Sequence, residues 1–178
     1  MRSLPLIIAT IVAGPALGQT GDFVSPDVVL EEFGVFCPDE AAGRVEAPDT
    51  ERGFIDLIDG DPRVDFPTTV VPAELGLGFG LRFRLPDGQG VQMARVIIEH
   101  PPFGDPPLTV ESYPTTVDGQ YASVTQFDFD DAYEMQLGTW VMSIEILGQI
   151  VLRQTFQVVP PEQSPISARL CDGPPMMS

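Results

Sequence analysis

The stretch WVMSIEILGQIVLRQTFQV, Trp140 to Val158, decides the fold class. Trp140, Met142, Ile144 and Ile146 recur at alternate positions, so they share one face of an extended strand. Gly148-Gln149 offers a turn. Leu152, Gln154, Phe156 and Val158 then alternate on the returning segment until Pro160-Pro161 stops it, because proline has no N–H to give to a ladder. The pattern predicts a β-hairpin with the single tryptophan anchoring a core.

Upstream, the same period recurs. In Gly78–Leu85, Phe79, Leu81, Phe83 and Leu85 oppose Gly78, Gly80, Arg82 and Arg84, which predicts a strand with one buried and one wet face. Pro86-Asp87-Gly88 is a turn. Val91–Glu99 sets Val91, Met93, Arg95 and Ile97 against Ala94, Val96 and Ile98. Both faces are largely apolar, as in a central strand. HPPFGDPP, His100 to Pro107, carries four prolines in eight residues and is predicted to end the ladder as a stiff loop with Phe103 exposed. Thr109–Tyr113 and Tyr121–Phe129 read as strands joined near Asp118-Gly119, and Asp130–Gly138 as an acidic connection. Towards the N-terminus, Val28–Cys37, Phe54–Ile58 and Phe66–Val71 are strand candidates, with Pro38–Arg52 a polar loop between the first two. Eight or nine short strands without a long helix predict an all-β, antiparallel sandwich, Greek-key and immunoglobulin-like in architecture. A small β-barrel is the runner-up.

Met1-Arg2-Ser3, an apolar run from Leu4 to Leu17 and the small residues Ala16 and Gly18 have the form of a cleaved secretory signal. The run is short of the roughly 20 residues a membrane span needs. The expected organisation is a signal peptide at 1–18 and one domain at 19–178, in the periplasm or outside the cell. No membrane span is expected after cleavage. In an oxidising compartment the only two cysteines, Cys37 and Cys171, are expected to form one disulfide that ties the first strand to the C-terminal tail. The formal net charge is −17, and every basic residue is arginine. Such a surface repels phosphate backbones, so nucleic acid and anionic lipid are poor partners.

Several segments together resemble a known family. They are Glu32-Phe33-Gly34-Val35-Phe36, Val71-Pro72-Ala73 leading into Gly78-Phe79-Gly80, Glu99-His100-Pro101-Pro102, Leu137-Gly138-Thr139-Trp140, and Phe156-Gln157-Val158. The family is a bacterial one catalogued as a domain of unknown function, numbered 3859. The resemblance runs from about Val28 to Val159 and implies a β-sandwich without an assigned activity.

His100 is the only histidine, which removes multi-histidine metal sites. Gly-x-Ser-x-Gly and phosphate-binding glycine loops are absent. His100 is read either as a structural residue at a strand end or, with Pro101, Pro102, Phe103 and Asp105, as part of a binding loop. Glu99 is a poor partner for it, since strand neighbours point to opposite faces. Asp128, Asp130, Asp131 and Glu134 form the densest acidic group, and Asp59, Asp61 and Asp65 a second. Calcium takes six to eight oxygens, which loops of a sandwich can supply. Neither spacing is that of an EF-hand, and solvated loop carboxylates are the plainer reading.

Three functions remain open: a binding module for an unidentified protein or envelope component, a hydrolase using paired carboxylates, and a purely structural envelope component. The exported protein is expected to begin at Gln19, which intact-mass measurement checks; secreted material still starting at Met1 would overturn the signal assignment.

Overall fold

The hairpin forms as the alternation requires. The computed structural model describes residues 21–38 and 41–171, so the signal segment lies outside the described residues. Among these are eleven strands: β1 (Phe23–Val24), β2 (Val29–Phe36), β3 (Ala41–Glu46), β4 (Phe54–Ile58), β5 (Val70–Pro72), β6 (Gly78–Arg84), β7 (Gln92–Phe103), β8 (Leu108–Val117), β9 (Ser123–Asp128), β10 (Gly138–Ile146) and β11 (Gln149–Val159). The β10–β11 register sets Trp140 opposite Phe156 and Ile144 opposite Leu152. Leu147 takes a positive φ at the turn.

Two sheets face each other. The larger has the order β1-β11-β10-β7-β8, with β5 added in parallel on β11; the smaller is β2-β6-β9. Their inner faces share one core, in which Phe79 of β6 meets Trp140 and Phe156 at ring distances of 5.5 and 5.0 Å. Among the described residues no sheet closes on itself. The architecture is an immunoglobulin-like sandwich, and the barrel alternative does not apply.

Four expectations are corrected. First, the strand β7 continues through HPPF to Phe103. Its ladder with β8 jumps from Glu99↔Val110 to Phe103↔Leu108, leaving two extra residues on β7. Pro101 and Pro102 fall in that bulge, where no N–H is required of them. Second, part of the predicted loop Pro38–Arg52 is a strand, since β3 pairs with β4 as a separate hairpin. Third, Phe66–Val71 is not one strand. Phe66 bridges Val35 on the free edge of β2, whereas Val70–Pro72 joins β11, so Pro67 to Thr69 carry the chain between sheets. Fourth, the second face of β6 is covered. Residues 60–66 run across the smaller sheet: Arg82 is held by Glu31 and Asp61, and Val64 N–H donates to Glu32. The strap lies so close that a Cβ at Gly34 would collide with the Phe66 carbonyl.

The C-terminal segment returns to the start of the domain. Ile166 enters the core, and Cys171 is bonded to Cys37 across a separation of 134 residues. In the chain-entropy account, closing a loop this long stabilises by at most about 5 kcal/mol. The Cys37→Ser/Cys171→Ser double variant is expected to lose about 2–5 kcal/mol in urea unfolding, with native sheet content at zero denaturant. An unchanged midpoint would show that the bond constrains nothing.

Candidate functional site

The two edge strands β8 and β9 leave a seam along one side of the sandwich. Residues on the inner face of β8 follow from its register with β7: Ile98↔Glu111, Val96↔Tyr113 and Ala94↔Thr115. Thr125 and Phe127 do the same on β9, opposite Leu81 and Phe79 of β6. The seam is therefore polar where a core would be apolar. Tyr113 Oη and Thr125 Oγ1 bridge it at 2.5 Å, and burial pushes the Tyr113 hydroxyl up to about 12. The β3–β4 hairpin lies over this seam and encloses a cleft of about 300 Å³. Ile55, Ile98 and Phe127 supply its apolar wall, and Arg52, Glu111, Gln126 and Glu134 much of its polar wall.

Backbone and arginine donors already hold most of the acidic side chains here. The turn before β4 docks on β8: Ser112 N–H donates to the Asp49 carbonyl at 3.0 Å, and Glu51 N–H to Glu111 Oε1 at 2.5 Å. Arg52 pairs with Asp130 and lies 3.5 Å from Asp56; its guanidinium also covers the Phe54 ring at 4.6 Å. Glu134 Oε2 accepts the N–H groups of Asp130 and Asp131 at 2.9 and 2.8 Å. That carboxylate closes the turn after β9. Burial pushes its pKa up to about 7 from an ordinary 4.5, against the pull of the Asp131 N–H and Arg52. Burial likewise raises Glu111, with the Glu51 N–H opposing it.

The four carboxylates read as a calcium group divide between these roles. Asp128 accepts from Gln126 Nε2 at 2.9 Å, Asp130 serves Arg52, Asp131 is exposed, and Glu134 caps backbone. In the second acidic group Asp61 holds Arg82 and Asp65 accepts the Cys37 N–H. Among the described residues, no group of three or more His, Cys, Asp or Glu is placed to hold a metal ion.

The predicted binding loop divides too. Pro102 and Asp105 are exposed and Pro101 is half-buried. Phe103, expected at the surface, is in the core, and the His100 side chain is 0% exposed. The reason is parity: His100 continues the inner row Ala94, Val96, Ile98, and the proline bulge then turns Phe103 inward. The imidazole stacks on both Phe103 and Trp140, at 4.2 and 4.9 Å, in a three-ring cluster. Its Nδ1 donates to the Pro101 carbonyl at 2.8 Å. Nε2 has no hydrogen-bond partner and faces Glu111 Oε2 at 3.9 Å. Burial lowers its pKa, so the ring is neutral at neutral pH. Glu99 turns outward to Arg153 at 2.9 Å, as strand alternation requires.

A family model described as a domain of unknown function, DUF3859, matches residues 24–158. The chain belongs to this family. Among solved structures, this DUF3859 protein is similar to an immunoglobulin-like protein from Pseudomonas aeruginosa, at a TM-score of 0.53 and 20% identity, over 80% of this chain and 99% of that one. That likeness shows the fold alone. No curated protein matches the sequence. Glu111, the partner that faces His100, escaped the sequence reading; extending the inner row of β7 to His100 and pairing it across to β8 is the signal that finds it.

The raised pKa of Glu134 fixes a sign. Its proton is favoured by folding, so the stability it contributes is complete below about pH 4.5 and is lost as pH rises through about 7. Glu134→Gln mimics the protonated form and keeps an oxygen for both N–H groups. Relative to the wild type, the variant is expected to be equally stable near pH 4.5 and increasingly more stable up to pH 7, with no further change above it. Urea midpoints across this range check it, and a variant that gains on acidification would contradict it.

Proposed function

We propose that this DUF3859 protein is a non-catalytic binding module of the cell envelope, and that it takes its ligand in the seam cleft beneath the β3–β4 hairpin. The observation that carries the reading is the cleft itself. Its volume of about 300 Å³ is at the lower end of the roughly 300–1,000 Å³ typical of small-molecule sites, and it combines an apolar wall with convergent polar groups. Export is supported by the N-terminal segment and by the disulfide, which suits an oxidising compartment. Fold likeness adds nothing about the ligand.

One observation favours the hydrolase reading: Glu111 and Glu134 line one cleft, and both have raised pKa values, a recognised mark of catalytic carboxylates. Their hydrogen bonds weigh against it. Glu134 Oε2 already accepts two backbone N–H groups and Glu111 Oε1 one, so the burial that raises them accompanies a capping role.

Thermal shift with the small-molecule and peptide fraction of a source-cell envelope extract tests the binding reading. A ligand at a hundredfold excess over its Kd stabilises by about 2.7 kcal/mol, or roughly 5–10 °C in a domain of this size. Thr115→Trp, which fills the cleft from β8, is expected to fold and to abolish the shift. An equal shift in both proteins would move the site elsewhere, and no shift in either would favour the structural role.

A further inference from the structure

Hydrogen-bond accounting in the cleft says what kind of ligand it takes. The lining holds Asp56, Asp61, Glu111, Asp128, Asp130 and Glu134 against a single basic residue, Arg52. That arginine is already shared between Asp130 and Asp56, and Asp61 is occupied by Arg82. Gln126 is oriented by chemistry: its Nε2 donates to both Asp128 oxygens, at 2.9 and 3.2 Å, and only an N–H can do so. Its Oε1 is then buried with no donor. Glu111 lies at the cleft floor. Glu111 is 5% exposed, one of its oxygens faces His100 Nε2, and that nitrogen is buried without a partner. Since Nδ1 donates to the Pro101 carbonyl, Nε2 of the neutral ring presents a lone pair, and Glu111 Oε2 confronts it with another. Gln126 Oε1 thus lacks a donor in the cleft, and Glu111 Oε2 finds none in His100, which does not line the cleft.

We infer that the cleft binds an alkylammonium group. The N–H donors of one compact cation complement Glu111 at the floor and Gln126 on the β9 wall, and Ile55, Ile98 and Phe127 pack against the alkyl stem. Charge-assisted hydrogen bonds of this kind are the strong ones. A protein with a formal net charge of −17 also concentrates cations at its surface. The same chemistry can come from a free diamine or from a lysyl side chain of a partner protein. This assignment rests on the seam cleft being the binding site.

Isothermal titration calorimetry at about pH 8, above the raised Glu134 pKa of about 7, tests it with three probes: the diamine cadaverine, N-acetyl-lysinamide, and pentanol as a neutral isostere. At least one amine is expected to bind saturably with unit stoichiometry, and pentanol to give no saturable heat. Tighter binding of cadaverine identifies a free amine; tighter binding of the lysine derivative identifies a protein side chain. Gln126→Met and Glu111→Gln are each expected to weaken the amine by about tenfold or more, equivalent to about 1.4 kcal/mol. Melting curves establish that both variants fold, and Gln126→Met, nearer the surface, carries the test if Glu111→Gln does not. No saturable heat from either amine, or affinity within about twofold of the wild type in the folded variants, would overturn the ammonium assignment. The Thr115→Trp thermal shift uses an extract instead of an amine, so it reads the binding function separately and can survive that loss.

Discussion

Trp140 is where the two sheets and the irregular end of β7 converge. Its indole meets Phe79 and Phe129 edge-on, at 5.5 and 6.1 Å, and Phe127 at 4.8 Å, all from the smaller sheet and the residue just past it. It also stacks with His100 and Phe103. Aromatic pairs of this kind add about 0.5–1.5 kcal/mol each beyond their burial. The one polar atom of the ring is satisfied too, since Nε1–H donates to the Gln136 carbonyl at 2.9 Å. The acidic connection after β9 is therefore positioned by the same side chain that holds the sheets together. An imidazole within an aromatic stack serves as a flat apolar plate, and holding it there commits Nε2 to the direction of Glu111.

The seam follows from a second constraint. A sandwich with open edges must cover them or discourage their pairing. Here the edges of β8 and β9 face a hairpin that docks through a turn, with single hydrogen bonds from Ser112 and Glu51 in place of a continuous ladder. Docking of this kind leaves volume beneath the hairpin. The side chains facing that volume are Glu111, Tyr113 and Thr115, whose polar ends are met by one another, by backbone, or by whatever enters. On the opposite margin the free edge of β2 is closed by the 60–66 strap, whose Phe66 bridges Val35. One margin is thus sealed by chain and the other is left as a cleft.

Much of the fold was legible because it depends on alternation. The β10–β11 hairpin, β6 and the first part of β7 each bury every second residue, and a period of two survives in any sandwich. Phe54–Ile58 was likewise bounded by Asp59-Gly60 and is the observed strand β4. The β3 strand was missed because Ala41 to Glu46 is almost wholly exposed and carries no hydrophobic alternation. The burial of Arg82 was missed because nothing local says that residues 60–66 lie across it.

The sequence by itself determined an all-β sandwich, the pairing of its last two strands, the family, and a disulfide between Cys37 and Cys171, since each follows from short-range periodicity, distinctive segments or the count of two cysteines. Only the tertiary structure decided that His100 and Phe103 are core residues, that the acidic residues after β9 cap turns and serve Arg52, and that Glu111 and Gln126 border one cleft. These facts depend on cross-strand register and on which edge a distant hairpin covers. Register is set by the whole sheet: the two-residue bulge at Pro101-Pro102 resets the parity of Phe103, and the edge position of β8 turns Glu111 from a core-facing liability into the floor of a cleft.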